Sequence, residues 1–167
     1  MKNRFVLLSA IGASLLSSAL GYKNVHGEEL KSCSSQGMAL TGFTRTGYCV
    51  DQDDDSGSHH ICIDLSSATG GNFCQVTEQP NWCADQMLCH DGSRSFSDGS
   101  EEKCTVQNWC VCQWAFAGYL EKAGGCDKIQ NIVCDAINIE AVNAYRGETS
   151  QIYIDALECI EKRCGTA

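Results

Sequence analysis

The cysteine content constrains this chain more than any other feature. Thirteen cysteines occur among 167 residues, a density typical of small secreted domains that are held by disulfides. Because thirteen is odd, at least one thiol must stay free, join two chains or bind something else. We expect about six disulfides. The candidates are Cys33, Cys49, Cys62, Cys74, Cys83, Cys89, Cys104, Cys110, Cys112, Cys126, Cys134, Cys159 and Cys164.

The beginning of the chain indicates its compartment. Lys2 and Arg4 precede an apolar run that ends in small residues before Tyr22, which is the layout of a secretory signal peptide. A membrane anchor would need roughly 20 strongly apolar residues, and serines and glycines dilute this run. The pattern predicts a signal peptide over residues 1–21 and one cysteine-rich, extracellular domain over residues 22–167, with no transmembrane segment after cleavage.

The charge limits the partners. The formal net charge is −9, whereas nucleic acids and anionic membranes are bound by surfaces rich in lysine and arginine. We therefore expect no nucleic-acid partner. The partner is expected to be an unidentified ligand or protein, and the odd cysteine could also form an intermolecular disulfide.

Hydrophobic patterns predict a few short elements. Alternation over residues 58–65 favours a strand, and a second strand is expected within residues 128–136. A helix should follow Trp114 and stop at the Gly124-Gly125 pair, and Asn138 and Ser150 should begin two more. The fold class is therefore α+β: a single disulfide-rich domain with a short, mainly antiparallel sheet and two or three helices.

The first predicted strand carries two candidate metal ligands. His60 and Cys62 share a face of the strand, which would suit a metal, but a surface strand held by a disulfide is the favoured interpretation. His59 and His60 are adjacent and point to opposite sides of a strand, so they cannot chelate one ion as a pair.

The acidic run over residues 51–57 has carboxylates at alternate positions before a glycine, as calcium loops do. An EF-hand needs glycine at its sixth position and glutamate at its twelfth, where this chain has Ser56 and Cys62. The run is therefore expected to be a solvated acidic turn, with calcium binding as the alternative.

The Cys110-Val111-Cys112 segment lies between two tryptophans, before the first predicted helix. Its cysteines could belong to two different disulfides, ligate zinc with other cysteines or a histidine, or form a redox pair. We expect Trp109 to be buried against a disulfide and Trp114 to anchor the helix on the sheet.

An asparagine–aromatic–cysteine motif occurs three times. In each copy we expect the ring to pack on a disulfide while the asparagine amide holds a turn. The copies are Asn72-Phe73-Cys74, Asn81-Trp82-Cys83 and Asn108-Trp109-Cys110.

Conventional catalytic motifs are absent from the sequence: there is no Gly-rich phosphate loop, no Gly-x-Ser-x-Gly and no His-Glu-x-x-His. The sequence therefore favours a secreted domain that binds a ligand or partner without catalysis or cofactor. The alternative is a protein that binds a metal, zinc above all, or a protein with thiol-redox activity. Its candidate residues are Cys33, Cys49, Cys62, Cys110, Cys112, His59 and His60.

Seven short motifs follow one another in an order that is found in a known family. They are Asn24-Val25-x-Gly27, Cys33-Ser34, Thr41-Gly42-Phe43-x-Arg45-x-Gly47-x-Cys49, Asp55-x-Gly57-Ser58-His59, Cys62, Gly71-Asn72 and Trp109-Cys110-x-Cys112. Over residues 24–145 the chain resembles the largely bacterial family called domain of unknown function 2237. The resemblance implies a compact mixed domain and no particular activity.

The resemblance also divides the cysteines. The family is mainly intracellular and has a Cys-Cys pair where this chain has Tyr48-Cys49, so the cysteines common to both should lie close together for packing or metal binding. It implies that Cys110 and Cys112 bond to two of Cys33, Cys49 and Cys62, not to each other, and that the fifth member of this shared set stays free. The eight added cysteines should pair among themselves. The shared set is Cys33, Cys49, Cys62, Cys110 and Cys112.

Overall fold

The structure is a computed structural model that describes residues 21–92 and 95–165. Apart from Gly21, the predicted signal peptide lies outside the described residues, and its cleavage stays a prediction. No helix of the described part has both the length and the apolar character needed to cross a membrane. The strands and helices are β1 Ile61–Asp64, α1 Phe73–Val76, β2 Gln86–Leu88, β3 Lys103–Thr105, β4 Asn108–Val111, α2 Gln113–Ala123, β5 Asn131–Ile132, α3 Ile139–Arg146 and α4 Gln151–Cys164.

A three-stranded antiparallel sheet of order β4-β1-β5 forms the centre of the fold. A second, two-stranded sheet pairs β2 with β3. Three main helices and six disulfides complete the domain. The predicted small α+β fold is therefore confirmed.

Strand β1 is held by the Cys33–Cys62 disulfide, as predicted, but it is central, so the predicted position at the surface is wrong. Ile61, Cys62 and Ile63 are all completely buried. Ile61 and Ile63 belong to the main core, whereas Cys62 belongs to a separate cluster of buried cysteines. Both faces are covered because the cysteine-bearing loops close over the side that would otherwise meet solvent.

The three main helices begin and end near the predicted residues because their caps are local. Gly124 ends α2 in the left-handed conformation, with φ of 86°, which glycine adopts at little cost. The side chain of Asn138 accepts a hydrogen bond from the Glu140 amide at the start of α3. Helix α4 begins after Ser150, whose side chain makes no capping hydrogen bond, and it ends at Gly165 in the left-handed conformation.

The strand expected within residues 128–136 is shorter than predicted. Only β5, Asn131–Ile132, pairs with β1, and short 3₁₀ turns lie on either side of it. Cys126 and Cys134, which begin these two turns, are bonded to cysteines of α4. The disulfides therefore hold this segment against the helix and limit its pairing in the sheet.

Trp114 has a different role from the predicted one. Its ring lies 5.2 Å from that of Tyr153 on α4 and 6.1 Å from that of Tyr145 on α3 (centroid distances). The expectation that Trp114 anchors α2 on the sheet is therefore wrong. The ring instead joins three helices, because it leaves α2 on the side that faces α3 and α4.

Candidate functional site

A cavity of about 190 Å³ lies where β4 ends and α2 begins. We call it the aromatic cavity. Three aromatic rings, a histidine and two cysteines form much of its wall, and several separate segments of the chain contribute to it. Its lining residues are His59, Phe73, Gln79, Trp82, Trp109, Cys110, Val111, Cys112 and Ala115.

The aromatic wall comes from the three asparagine–aromatic–cysteine motifs. The ring centroids of Phe73 and Trp82 are 6.0 Å apart, and those of Trp82 and Trp109 are 5.7 Å apart. The Trp82 indole N–H donates to Oε1 of Gln79 at 3.0 Å, which fixes the middle ring. The sequence predicted the motif as a local device, and its three copies in fact build one surface.

The asparagines of these motifs act differently from one another. Asn72 caps the short helix α1 through a hydrogen bond from the Gln75 amide. Asn108 donates from its side chain to the Cys33 carbonyl at 2.9 Å, which ties a distant loop rather than its own turn. Asn81 makes no side-chain cap. The expected turn-holding role is therefore confirmed only for Asn72.

The loop after Gly42 brings two side chains to the edge of the cavity. The guanidinium carbon of Arg45 lies 4.9 Å from the centroid of the Trp109 ring, a cation–π contact. Phe43 stacks on His59 with centroids 6.1 Å apart. Both side chains are exposed on their outer sides, so this loop forms an accessible rim.

His59 is held in place by Asp55. Its Nδ1 lies 2.7 Å from Oδ1 of Asp55, and its backbone N–H donates to Oδ2 of the same carboxylate at 2.8 Å. The Gly57 N–H donates to Oδ1 at 3.1 Å. Asp55 is buried, so the prediction that residues 51–57 form a fully solvated turn is wrong at this position.

Burial and hydrogen bonding act on the Asp55 carboxylate in opposite directions. Burial alone would raise its pKa, but the hydrogen bonds from the His59 amide, the His59 ring and the Gly57 amide outweigh it and lower the pKa. An ionised carboxylate can only accept, so the His59 ring carries its proton on Nδ1. Its Nε2 is then the basic atom, on the opposite side of the ring.

Gly57 is required for this arrangement. A Cβ at this position would lie 2.7 Å from Cε1 of His59, which is closer than packed atoms approach, and 3.1 Å from Nδ1, which is a tight contact. The ring therefore occupies space that any other residue would fill.

His60 points elsewhere, although the two histidines lie before β1, which begins at Ile61, and not within the strand predicted over residues 58–65. Its Nδ1 lies 2.8 Å from Oε1 of Gln113 and its Nε2 lies 3.1 Å from Oδ1 of Asp51. The two histidines thus have separate partners. His60 links the acidic run to the first turn of α2, and does not line the aromatic cavity.

Cys112 is the one free thiol among the thirteen cysteines, all of which the structure describes. It is partly exposed, lines the cavity and occupies the N-cap position of α2, where its side chain makes no capping hydrogen bond. The prediction that Cys112 bonds within the shared set is wrong. The other shared cysteines form Cys33–Cys62 and Cys49–Cys110, so the free member of the set is Cys112 itself.

The eight added cysteines pair among themselves, as predicted. No disulfide crosses from the shared set to the added set among the described residues. The four pairs are Cys74–Cys83, Cys89–Cys104, Cys126–Cys159 and Cys134–Cys164.

The shared disulfides occupy the sulfurs that a zinc site would need. Sulfurs of Cys33, Cys49 and Cys110 all lie within 4.8 Å of one another, and Cys62 is bonded to Cys33, so the expected proximity is confirmed for these four cysteines. Zinc binds thiolates, however, and these sulfurs are bonded in pairs. In this oxidised form the candidate set offers Cys112 alone as a thiolate.

Unusual backbone geometry also surrounds the cavity. Three non-glycine residues of the described ranges have positive φ: Arg45 at 53°, Ser58 at 48° and Glu78 at 58°. Arg45 contacts Trp109, Ser58 precedes His59 and Glu78 precedes Gln79. Such conformations cost free energy and are concentrated at functional sites.

A larger groove of about 560 Å³ lies between α2 and α4. Its charged lining residues, Glu121, Asp155, Glu158 and Lys162, belong to ordinary helix surface, and no aromatic side chain lines it. The aromatic cavity is smaller, but it combines aromatic, basic and nucleophilic groups. We therefore take the aromatic cavity as the candidate site.

Comparison with known proteins supports the resemblance. Residues 23–84 match the profile of a family described as an uncharacterised protein conserved in bacteria, domain of unknown function 2237. No curated protein matches the chain significantly. The match includes Phe43, Arg45, Asp55 and His59, whereas Trp109 and Cys112 lie beyond it, where the resemblance stays a prediction.

Proposed function

We propose that the chain is a secreted, disulfide-stabilised domain that binds a small ligand in the aromatic cavity. The observation that carries this proposal is that side chains from several distant segments meet around one cavity. The rim loop with Arg45, the Asp55–His59 pair and the Trp82 turn lie in the family-matched range and meet around one cavity with Trp109 and Cys112.

The disulfides are consistent with this setting. Six disulfides suggest an oxidising compartment, and secretion to the extracellular space is the corresponding proposal. They also fix the walls of the cavity. Cys74–Cys83 closes the segment that carries Phe73 and Trp82, and Cys49–Cys110 joins the rim loop to β4.

Size and chemistry define the ligand. A cavity of about 150 Å³ holds benzene, so 190 Å³ accommodates one ring or a short acyl chain. The exposed Arg45 lies at the edge of the cavity and has no carboxylate partner among the described residues. An apolar group with a carbonyl or carboxylate oxygen directed towards Arg45 therefore fits best.

Benzoate is a suitable probe for nuclear magnetic resonance. The chain has three tryptophans, so three indole N–H signals report directly. We expect benzoate to shift the signals of Trp82 and Trp109, which line the cavity. The signal of Trp114, which does not line the cavity, should stay unchanged. Equal shifts at all three, or none, would contradict the proposal.

A matched pair of variants tests the location. Ala115 lines the cavity, so Ala115→Leu should fill part of it and abolish the shifts. Ala84 is exposed and outside the lining, so Ala84→Leu should leave them unchanged. If both variants bound benzoate like the original chain, the site would lie elsewhere.

The alternative metal or thiol-redox function now depends on Cys112. The zinc form of that hypothesis requires reduction of two buried disulfides, Cys33–Cys62 and Cys49–Cys110. An intermolecular disulfide, the other role considered for the odd cysteine, would have to form through the partly exposed Cys112.

A further inference from the structure

We propose that Cys112 is a nucleophile, with His59 as its general base, and that the ligand is an acyl compound which Cys112 captures as a thioester. This inference rests on the proposed binding function and deepens it. It also goes beyond the binding without catalysis that the sequence favours.

The first step is the identity of the thiol. Twelve of the thirteen cysteines are consumed in six disulfides, and the one left free lines the aromatic cavity. A cysteine retained only for packing would be expected in the core, where free cysteines behave as small hydrophobic residues. Cys112 is instead partly exposed, so a small molecule in the cavity can reach its sulfur.

The second step is the base. His59 lines the same cavity, and Asp55 fixes its ring through Nδ1. The free Nε2 is the atom that a general base uses, and an acid that orients the imidazole through the other nitrogen is the recurrent partner of such a base. The Asp55 side chain is 1% exposed, so water competes little for the carboxylate oxygens that hold the His59 ring.

The backbone brings the base and the nucleophile together. The Gln113 N–H donates to the Ser58 carbonyl at 3.0 Å, and these two residues are the chain neighbours of Cys112 and His59. No hydrogen bond joins the two side chains themselves in the described part of the protein. Nucleophile–base contacts often tighten only in the substrate complex.

The third step concerns the oxygen that becomes negative when a thiol attacks a carbonyl. The first N–H groups of a helix have no acceptor within it. In α2, Gln113 donates to Ser58, and Phe116 is the first residue that donates into the helix, to the Cys112 carbonyl. The amides of Trp114 and Ala115 have no acceptor among the described residues, so they remain as donors, next to Cys112 in the chain, for the developing oxyanion.

The reaction balances without an oxidant or reductant. Sγ of Cys112 forms a bond to the carbonyl carbon of an ester or thioester, and the bond from that carbon to the leaving oxygen or sulfur breaks. Nε2 of His59 takes the thiol proton and returns it to the leaving group. The products are a thioester at Cys112 and an alcohol, phenol or thiol.

The test uses p-nitrophenyl acetate with the intact disulfide-bonded protein. We expect a burst of about one equivalent of p-nitrophenolate, and an acetyl group at Cys112 by peptide mass spectrometry. The rate should exceed that of N-acetylcysteine at the same pH by at least about tenfold, because a positioned base contributes 10²–10⁴-fold. A rate no greater than that of N-acetylcysteine would overturn the proposal. This comparison does not depend on whether any variant folds.

Variants separate the base from general structure. His59→Gln should slow acetylation by about 10²-fold, whereas His26→Gln should not, because His26 lies near Asp135 and outside the cavity. Equal rates in the two variants would show that Cys112 reacts as an ordinary thiol, which overturns the inference.

The benzoate experiment on the same samples distinguishes the two proposals. If benzoate shifts Trp82 and Trp109 but Cys112 is not acetylated, the binding function stands and the nucleophile does not. If neither occurs, both are wrong.

Discussion

Cys62 and Cys110 lie directly opposite each other on β1 and β4, yet each is bonded to a cysteine from a different loop. Cys62 holds the loop of Cys33, and Cys110 holds the loop of Cys49, which follows the rim residues Phe43 and Arg45. The strand pair is therefore a common attachment point for two loops. One of them reaches the aromatic cavity.

Disulfides that close longer loops should contribute more stability. Cys49–Cys110 spans 61 residues and Cys74–Cys83 spans 9. In the chain-entropy model, removing the first pair by alanine substitution should cost about 4 kcal/mol, and removing the second about 2.5 kcal/mol. Urea unfolding of the two double variants checks this order, and a reversed order would show that strain or unfolded-state structure dominates.

Trp109 should be important for stability as well as for the cavity. It is 8% exposed and contacts Trp82 and Arg45. Trp109→Ala should lower the free energy of unfolding by about 3–5 kcal/mol, as large core truncations do. Phe96→Ala is the control, because that ring is 52% exposed and its loss should change little. Unchanged stability with lost benzoate binding would make Trp109 a recognition residue alone.

The Asp55–His59 pair should make stability depend on acid pH. The folded-state pKa of Asp55 is lowered, so the unfolded chain takes up this proton first as the pH falls. The stabilisation is complete above the ordinary aspartate pKa of about 3.9 and is lost as the pH falls through the lower folded pKa.

The variant Asp55→Asn isolates this contribution. It should cost about 2 kcal/mol at pH near 7, because hydrogen bonds to a buried charge are lost, and its stability should fall less between neutral and acid pH. Melting temperatures over that range compare it with the original chain. If the melting temperatures of the two proteins changed in parallel with pH, folding would not lower the pKa of Asp55.

Gly57 should control the position of His59. In Gly57→Ala the new Cβ must displace the ring, so acetylation of Cys112 should slow by on the order of 10²-fold, as small misplacements do. Gly118→Ala is the control, because a Cβ there meets nothing within 4 Å. An unchanged rate in Gly57→Ala would place the base elsewhere.

Local features of the sequence were sufficient to predict the helices. Asn138 and Gly124 act within a turn of their own positions, so a pattern over a few residues contains the whole signal. The burial of β1 could not be predicted in this way. It depends on loops from distant parts of the chain that cover Cys62.

The site was predicted only in part for the same reason. His59 and Cys112 were already candidate ligands, but their sequence separation hides that they share a cavity. The disulfide pattern depends on which loops reach the sheet, so the sequence could not show that Cys33 takes Cys62 and leaves Cys112 free. The repeated asparagine–aromatic–cysteine motif was the signal for the aromatic wall.

The free thiol in the aromatic cavity is tested most directly by alkylating the native, unreduced protein and mapping its disulfides by mass spectrometry. We expect one alkylated cysteine, Cys112, together with the six disulfides of the structure. Prior incubation with p-nitrophenyl acetate should protect that position from alkylation. Finding Cys112 in a disulfide, either with another cysteine of the same chain or with a second chain, would contradict the proposed site.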